Sequence, residues 1–389
     1  MKDIKQLYKS LSSFSVLRSL LEKPLFTHFF EYCRQENQFD RLSAYGAFVC
    51  NIYNNGANLT DYVLKMLYED ENIYVKLASQ GEKINANIQK EVERELSVLS
   101  AFSSLTAEDF YSEIGTDIPA FDSYEADIKG LYAKRLELIG QYGYGIFASN
   151  AMLSVSDSGE IVPVVSADTI TLDSFVGYEN ERRRVLANTE AFISGRPAAN
   201  VLLYGDAGTG KSSTVKAVVN HLFDRGVRLI ELRKNQLLLL PKIMGEISKN
   251  PLKFIIFIDD LSFNSNDDQF SMLKATLEGS ASAKAKNAVI YATSNRRHIV
   301  KESFADREGS DIHRNDTVQE NLSLSERFGL TVLFAKPEKR LYLEIVHELA
   351  LRNGIVTDMA ELDRAAEEFA LRRGYRSARC AEQFIHSLM

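Results

Sequence analysis

The first part of the chain has the periodicity of helices. Ile88, Val92, Leu96 and Leu99 recur at the spacing that places one apolar stripe on a helix. Such a stripe is typical of a helix that packs against a core. We therefore predict a mainly helical N-terminal domain over residues 1–145, in which no group of residues indicates chemistry.

The pattern then changes to a shorter period. Between Ile146 and Val165 the apolar positions recur with a period closer to two, and the turn residues Asp157–Gly159 separate two apolar stretches. This arrangement predicts a β-hairpin. We assign residues 146–168 to a hairpin that links the N-terminal domain to the next one.

Downstream of the hairpin, short apolar runs alternate with helical patterns, which predicts a parallel sheet covered by helices. The predicted strands are Val201–Tyr204, Arg228–Leu232, Phe254–Ile258, Ala288–Thr293 and Leu330–Phe334. After Pro337 the pattern is helical to the end, with a turn signal at Gly374. We predict an α/β domain over residues 169–336 and a lid of helices over residues 337–389.

The composition is that of folded soluble protein, with 45% hydrophobic and 25% charged residues. No apolar run approaches the length of about 20 residues that a membrane span needs, and the N-terminus lacks the apolar segment of a signal peptide. Cys33, Cys50 and Cys380 have no metal-ligand spacing, and their odd number fits a reducing compartment. We therefore expect a cytoplasmic protein with no membrane span. The net charge of −7 argues against extensive coating of nucleic acid.

The strongest chemical signal follows the predicted strand Val201–Tyr204. The run from Gly205 to Ser212 matches the phosphate-loop pattern G-x-x-x-x-G-K-[ST] at every fixed position, and a helical pattern follows it. In such a loop the backbone N–H groups surround the phosphates, the lysine adds a positive charge and the serine hydroxyl binds Mg²⁺. The predicted nucleotide-binding residues are Gly205, Asp206, Ala207, Gly208, Thr209, Gly210, Lys211, Ser212 and Ser213. The competing interpretation is a glycine-rich turn with an incidental lysine.

Polar side chains also follow two other predicted strands. Asp259 and Asp260 come directly after the strand Phe254–Ile258, and Asn295 follows a later one. Ligands of open α/β sheets bind at the carboxyl ends of the strands. We therefore predict that Asp259 binds Mg²⁺ together with Ser212, that Asp260 is the general base for the attacking water, and that Asn295 orients that water. Taken alone, each would be an ordinary polar end of a strand.

These residues fall in the order of the AAA+ ATPases, which the chain resembles from about Thr169 to Met389. The order consists of the phosphate loop, the two acids, Asn295, Ser325-Glu326-Arg327-Phe328 and the lid segment Arg376 to Arg379. More narrowly, Ala199–Gly205, Ala292–His298 and Leu324–Gly329 resemble a bacterial family of predicted ATPases catalogued as domain of unknown function 815. The resemblance implies an AAA+ core, with a five-stranded parallel sheet and helices on both faces, that binds ATP and Mg²⁺.

The resemblance also assigns roles to single residues. Arg327 corresponds to the arginine finger, which reaches the γ-phosphate bound by a neighbouring subunit, so the chain would form a homo-oligomer. Arg379, or as a second choice Arg376, corresponds to the lid arginine that senses the γ-phosphate of the same chain. Phe175 and Val176 lie in a segment that resembles the one packing on adenine. The alternatives are a surface ion pair for Arg327 and a helix-face charge for Arg379.

Asp260 departs from the commonest pattern of this class, in which a glutamate stands at that position. Its carboxylate ends one methylene shorter, which predicts slow hydrolysis. Paired aspartates also resemble the initiator and helicase-loader branch. The predicted catalytic residues are thus Lys211, Asp260, Asn295 and Arg327.

Three functions remain open at this point. We favour a motor that hydrolyses ATP at subunit interfaces and remodels an unknown protein or nucleic-acid partner. The alternatives are a nucleotide-switched scaffold with little turnover and a DNA-associated loader. Small-molecule kinases are disfavoured because no acceptor site is recognised, and GTPases because the chain has no guanine-reading Asn-Lys-x-Asp segment.

Overall fold

A computed structural model describes residues 2–262, 268–278, 285–295 and 327–389 of the chain. The chain divides into two compact units, Met1–Ser149 and Asn150–Met389. Within the described ranges, no helix combines the length and the apolar character that crossing a membrane requires.

The first unit is helical, as predicted. Its α-helices are Ile4–Ser12, Pro24–Arg34, Gln38–Tyr53, Leu59–Glu69, Ile73–Ser79, Ala86–Ser103, Tyr111–Ile114, Ile128–Glu137 and Ile139–Tyr142, with 3₁₀ turns at Arg18–Glu22, Ala107–Phe110 and Gly145–Phe147. Asparagine is frequent at the N-cap, the position just before a helix, because its side-chain oxygen accepts a hydrogen bond from a backbone N–H that the helix leaves unpaired. Asn37, Asn58, Asn72 and Asn85 each begin a helix in this way.

The core of this unit is built around aromatic rings. Phe102 stacks on Phe26 at 4.9 Å between ring centroids and meets Phe29 edge-on at 5.0 Å. The predicted stripe on Ala86–Ser103 faces this core, because Val92, Leu96 and Leu99 are buried, while Ile88 is partly exposed.

The second unit is organised around one sheet. Its strands are β1 Met152–Val155, β2 Ile161–Pro163, β3 Val201–Gly205, β4 Val227–Glu231, β5 Lys253–Ile258, β6 Ala288–Ser294 and β7 Leu330–Phe334. Their order across the sheet is β2-β1-β4-β5-β6-β3-β7. All neighbouring pairs of these strands are parallel except β1 and β2.

The predicted number of five strands is wrong, because the described sheet has seven. The predicted hairpin exists, as β1 pairs with β2 in antiparallel register. It also extends the sheet, since β1 pairs in parallel with β4, with Met152 opposite Leu229. Local alternation predicts a hairpin but not the distant strand that it pairs with.

Helices cover the sheet and form the lid. The helices of the core are Glu179–Ile193, Lys211–Leu222, Leu240–Ile247 and Asp268–Glu278, with 3₁₀ turns at Leu172–Ser174, Phe223–Arg225 and Lys234–Leu239. The lid consists of Lys339–Arg352, Met359–Arg373 and Ala378–His386, which confirms the predicted helical lid. Its own small core includes Tyr342, Ala366 and Cys380.

Gly205 marks the place where the sheet becomes the phosphate loop. It is the last residue of β3 and pairs with Phe334, the last residue of β7. Its φ of +132° is open mainly to glycine, and a Cβ there would lie 2.1 Å from the Phe334 carbonyl oxygen. The neighbouring strand therefore requires glycine at this position.

We expect Gly205→Ala to lower the free energy of unfolding of the second unit by at least about 2–3 kcal/mol, because both the backbone angle and the contact with Phe334 must change. Thermal unfolding followed by far-UV circular dichroism measures this loss. Hydrogen exchange of peptides from β3 and β7 assigns it to this edge of the sheet. The matched control is Gly245→Ala within a helix, where nothing lies within 4 Å of the added Cβ. This control should raise stability by about 0.5–1 kcal/mol, and equal effects of the two substitutions would contradict the steric explanation.

Candidate functional site

The phosphate loop connects β3 to the helix Lys211–Leu222. Gly210 precedes that helix with a φ of +86°, so the chain turns sharply and the first N–H groups of the helix face the loop. Thr209 donates its hydroxyl proton to the Asp206 carbonyl oxygen at 2.9 Å, which closes the turn. The carboxylate of Asp206 accepts the Lys336 N–H at 2.9 Å, which fixes the loop to the residues that follow β7.

Lys211 has a buried ammonium group with three acceptors. Its Nζ donates to the carbonyl oxygens of Gly205 at 3.0 Å and Asp206 at 2.7 Å, and to Oδ1 of Asn295 at 3.1 Å. Burial lowers the pKa of Lys211, and the nearby carboxylates of Asp206, Asp259 and Asp260 oppose this effect. The loop thus holds a positive charge at the point where an anionic ligand would enter.

The structure brings together the predicted polar residues at the ends of β5 and β6. Asn295 donates a hydrogen bond from Nδ2 to Oδ1 of Asp260 at 2.8 Å, and its own side-chain oxygen accepts a hydrogen bond from Lys211. Asn295 therefore connects the lysine to the predicted base. Asp260 has a φ of +51°, a left-handed conformation that is uncommon for residues other than glycine.

Ser212 and Asp259 form a second polar pair. The serine hydroxyl donates to Oδ1 of Asp259 at 2.6 Å. The donor set fits Mg²⁺, because both atoms are hard oxygens and neighbouring ligands of an octahedral Mg²⁺ lie about 2.9 Å apart. Among the described residues no group of three or more His, Cys, Asp or Glu side chains could hold a metal. Two protein ligands suit Mg²⁺, which commonly keeps water and substrate phosphate in its other positions.

A cavity of about 420 Å³ opens beside these groups. Its lining combines the phosphate loop, Asp259, Asp260 and Asn295 with Phe175, Val176 and residues of the lid. These are the two kinds of surface that a nucleotide would need, a polar one for its phosphates and an apolar one for its base.

Two arginines contact residues 173–175 beside the cavity, and part of the cavity is apolar. Ile345 and Leu349, one helical turn apart on the first lid helix, line it together with Val176. The Arg182 guanidinium lies 4.8 Å from the centroid of the Phe175 ring. Arg352 donates from the lid to the Ser174 carbonyl at 2.7 Å and to that of Asp173 at 3.1 Å. The two bonds of Arg352 hold residues 173–174 against the first lid helix.

The two candidate lid arginines have different surroundings. Arg379 lines the cavity, and its backbone N–H donates to the Gly208 carbonyl at 3.3 Å. A Cβ on Gly208 would lie 3.2 Å from that of Arg379, so the loop and the lid approach closely here. Arg376 instead donates from two nitrogens to the carboxylate of Glu367 at 2.6 and 2.8 Å, and it does not line this cavity.

Arg327 lies near the edge of the sheet where β3 and β7 begin, which is opposite to the edge that carries the phosphate loop. It precedes β7, whose first residue Leu330 pairs with Val201, the first residue of β3. The phosphate loop begins at the other end of β3, about 13 Å further along the strand. Arg327 is half-buried and is not among the described residues that line the cavity. Residues 324–326 and 296–298 of the motifs that resemble the family lie outside the described residues.

Sequence reasoning missed several residues of this cavity. Ile345 and Leu349 have the spacing of an ordinary core stripe, so no local signal separates them from the buried face of the lid. Arg182 has no motif around it. Thr293 was part of a recognised segment, yet its contacts with the acidic pair depend on the pairing of β5 with β6. In each case the informative contact is between distant parts of the chain.

The chain is similar to a protein of known name among curated proteins. The proteasome-activating nucleotidase 2 of Haloferax volcanii is 26% identical over 234 residues, which cover 54% of this chain and 52% of that protein. The chain thus spans about half the length of this curated relative.

Two solved structures of one motor protein also match part of the chain. The Holliday junction branch migration motor RuvB of Thermotoga maritima is 14% identical, covering 56% of this chain and 72% of that one, with a TM-score of 0.35. A point variant of the same motor is 15% identical, with the same coverage and TM-score.

A family model described as "Protein of unknown function (DUF815)" matches residues 148–389, which include the whole sheet, the phosphate loop and the lid. This match covers more than half of the chain. It agrees with the resemblance carried by the phosphate loop, the strand-end acids and the lid, and the AAA+ relationship is confirmed. The chain belongs to the DUF815 family and is a member of the AAA+ class of phosphate-loop ATPases.

Proposed function

We propose that this protein hydrolyses ATP with Mg²⁺ at interfaces between its own copies, and that the resulting motion of the lid remodels a macromolecular partner. The observation that carries the proposal is the chain of hydrogen bonds from Lys211 through Asn295 to Asp260, beside the pair Ser212 and Asp259. The groups to which we assign the phosphates, Mg²⁺ and the attacking water thus lie at one edge of the sheet.

Each group has a chemical task in this proposal. Lys211 and the N–H groups of the loop neutralise phosphate charge. Ser212 and Asp259 would hold Mg²⁺, which when bound neutralises charge on the phosphate oxygens. Asp260 accepts a proton from the attacking water, and Asn295 keeps that carboxylate in place through its amide.

A nucleotide-switched scaffold is the second candidate. The observation that favours it is the short side chain of Asp260, whose Oδ1 accepts a hydrogen bond from Asn295. A carboxylate that is held in this way, on a side chain one methylene shorter than glutamate, extends less far toward the water that would attack the phosphate. In a scaffold, ATP would select a conformation and turnover would be negligible.

Asp260→Asn separates these two functions. The substitution keeps the shape of the side chain and an oxygen that can accept from Asn295, but it removes the base. For a motor we expect phosphate release to fall by about 100-fold or more while ATP still binds. Steady-state phosphate release and equilibrium binding of ATP measure the two effects. Lys211→Ala is the reference for lost binding, because it removes the charge from the loop.

Either of two results would oppose hydrolysis at this site. Wild-type protein that binds ATP tightly yet releases no phosphate supports the scaffold. Turnover that is unchanged in Asp260→Asn means that another group is the base.

Arg379 is proposed to sense the γ-phosphate, because it lines the cavity while Arg376 is held by Glu367. We expect Arg379→Ala to weaken ATP binding by about tenfold, the value of one charge-assisted hydrogen bond, and to leave ADP binding nearly unchanged. The matched control is Arg376→Ala, which removes the same group three positions away. Titration of both nucleotides into each variant checks this, and equal losses in the two variants would remove the distinction.

Arg327 is proposed to act on the site of a neighbouring subunit, because the register of β7 with β3 places it away from the phosphate loop of its own chain. Arg327→Ala and Asp260→Asn should each be inactive alone. Mixed in equal amounts, they should recover about a quarter of wild-type turnover. With random assembly, about half of the sites have an intact Asp260, and about half of those meet an intact Arg327 on the neighbouring subunit. Phosphate release before and after mixing measures this recovery. A mixture as inactive as its components would show that the arginine does not act between subunits.

A further inference from the structure

Thr293 lies where β5 and β6 end side by side, and it contacts three consecutive residues after β5. The Leu261 N–H donates to its carbonyl oxygen at 2.7 Å. The Asp260 N–H donates to its hydroxyl oxygen at 2.9 Å, and the hydroxyl donates its proton to Oδ1 of Asp259. Only 2% of Thr293 is exposed, so water does not compete for these bonds.

The direction of these bonds is fixed by the chemistry of the partners. A backbone N–H can only donate, and a carboxylate oxygen accepts. The hydroxyl oxygen of Thr293 therefore accepts a hydrogen bond from the Asp260 N–H, and the hydroxyl donates its own hydrogen bond to Asp259. In this series each hydrogen bond polarises the next.

The same hydroxyl supports an unusual backbone conformation. Asp260 has a φ of +51°, which costs about 1 kcal/mol or more for a residue with a side chain and persists only when the surroundings fix it. Its N–H is held by Thr293 and lies 3.1 Å from Oδ1 of Asp259. This conformation directs the carboxylate of Asp260 to Asn295.

We propose that Thr293 is a positioning residue for the magnesium site: its hydroxyl fixes the orientation of the Asp259 carboxylate beside Ser212 and holds Asp260 in the conformation that faces Asn295. The proposal rests on the proposed function, because it concerns the same Mg²⁺ and the same base. It assigns to Thr293 a role that acts through its hydrogen bonds to Asp259 and Asp260.

A purely structural role is the alternative, since threonine is common in strands for its branched shape alone. Thr293→Val keeps that shape and removes the hydroxyl, whereas Thr293→Ser keeps the hydroxyl and removes the methyl group. A role in packing predicts greater loss in the serine variant. A role in positioning predicts greater loss in the valine variant.

The test compares nucleotide affinity in Mg²⁺ with affinity in excess EDTA, using a fluorescent ATP analogue as the probe. The ratio of the two affinities reports how well the site binds the metal with the nucleotide. We expect Thr293→Val to reduce this ratio about tenfold and Thr293→Ser to keep it within about twofold of wild type. In phosphate-release assays, Thr293→Val should also need more Mg²⁺ for half-maximal rate.

A matched control is Thr189→Val, which removes a buried hydroxyl that bonds the Val185 carbonyl and the Tyr291 hydroxyl. It tests whether loss of a buried hydroxyl in this unit changes the ratio in general. We expect the wild-type ratio. If Thr293→Val does not fold, Thr293→Ala and Thr293→Ser form a second pair, differing by the hydroxyl alone.

A ratio that is the same in wild type and Thr293→Val would overturn the proposal, as would an equal change in Thr189→Val. Failure of the proposed function gives a different result. In that case the wild type releases no phosphate, while the Mg²⁺ ratio still falls in Thr293→Val.

Discussion

The buried ammonium of Lys211 is the charge around which the site is arranged. Only 6% of this residue is exposed, and a charge removed from water must be matched by acceptors at close range. Two acceptors are carbonyls of the phosphate loop, and the third is the Asn295 amide at the end of β6. The same amide continues to Asp260 at the end of β5. One charge thus fixes the loop and two strand ends relative to each other.

The register of the sheet makes this arrangement available. β6 lies between β5 and β3, and all three are parallel, so their carboxyl ends meet at one edge. Leu203 pairs with Thr293 and Ile258 with Ala292, which brings the loop, the amide and the acids to the same level. A shift of one residue in β6 would turn Thr293 and Asn295 to the opposite face. The arrangement of these side chains therefore depends on pairing that is distributed along whole strands.

Local patterns predicted the parts of the site that are encoded by neighbours in sequence. The phosphate loop is a continuous motif, and Asp259, Asp260 and Asn295 were predicted because each follows a buried apolar run. The pairing of β1 with β4 was not predictable in this way, since a hairpin pattern carries no information on its distant neighbour. The choice between Arg376 and Arg379 likewise required the turn before the last helix, which directs one guanidinium to Glu367 and leaves the other at the cavity.

The lid donates hydrogen bonds to backbone carbonyls at two places beside the cavity. At the phosphate loop, the Arg379 N–H donates to the Gly208 carbonyl, and at residues 173–174, the Arg352 guanidinium donates to the carbonyls of Asp173 and Ser174. Between these points, Ile345 and Leu349 line the cavity itself. The three lid helices share one core, so they respond to a displacement as a unit. A ligand that moves either the phosphate loop or residues 173–174 must therefore move the lid or break these bonds. This is the physical basis that the proposed remodelling motion requires.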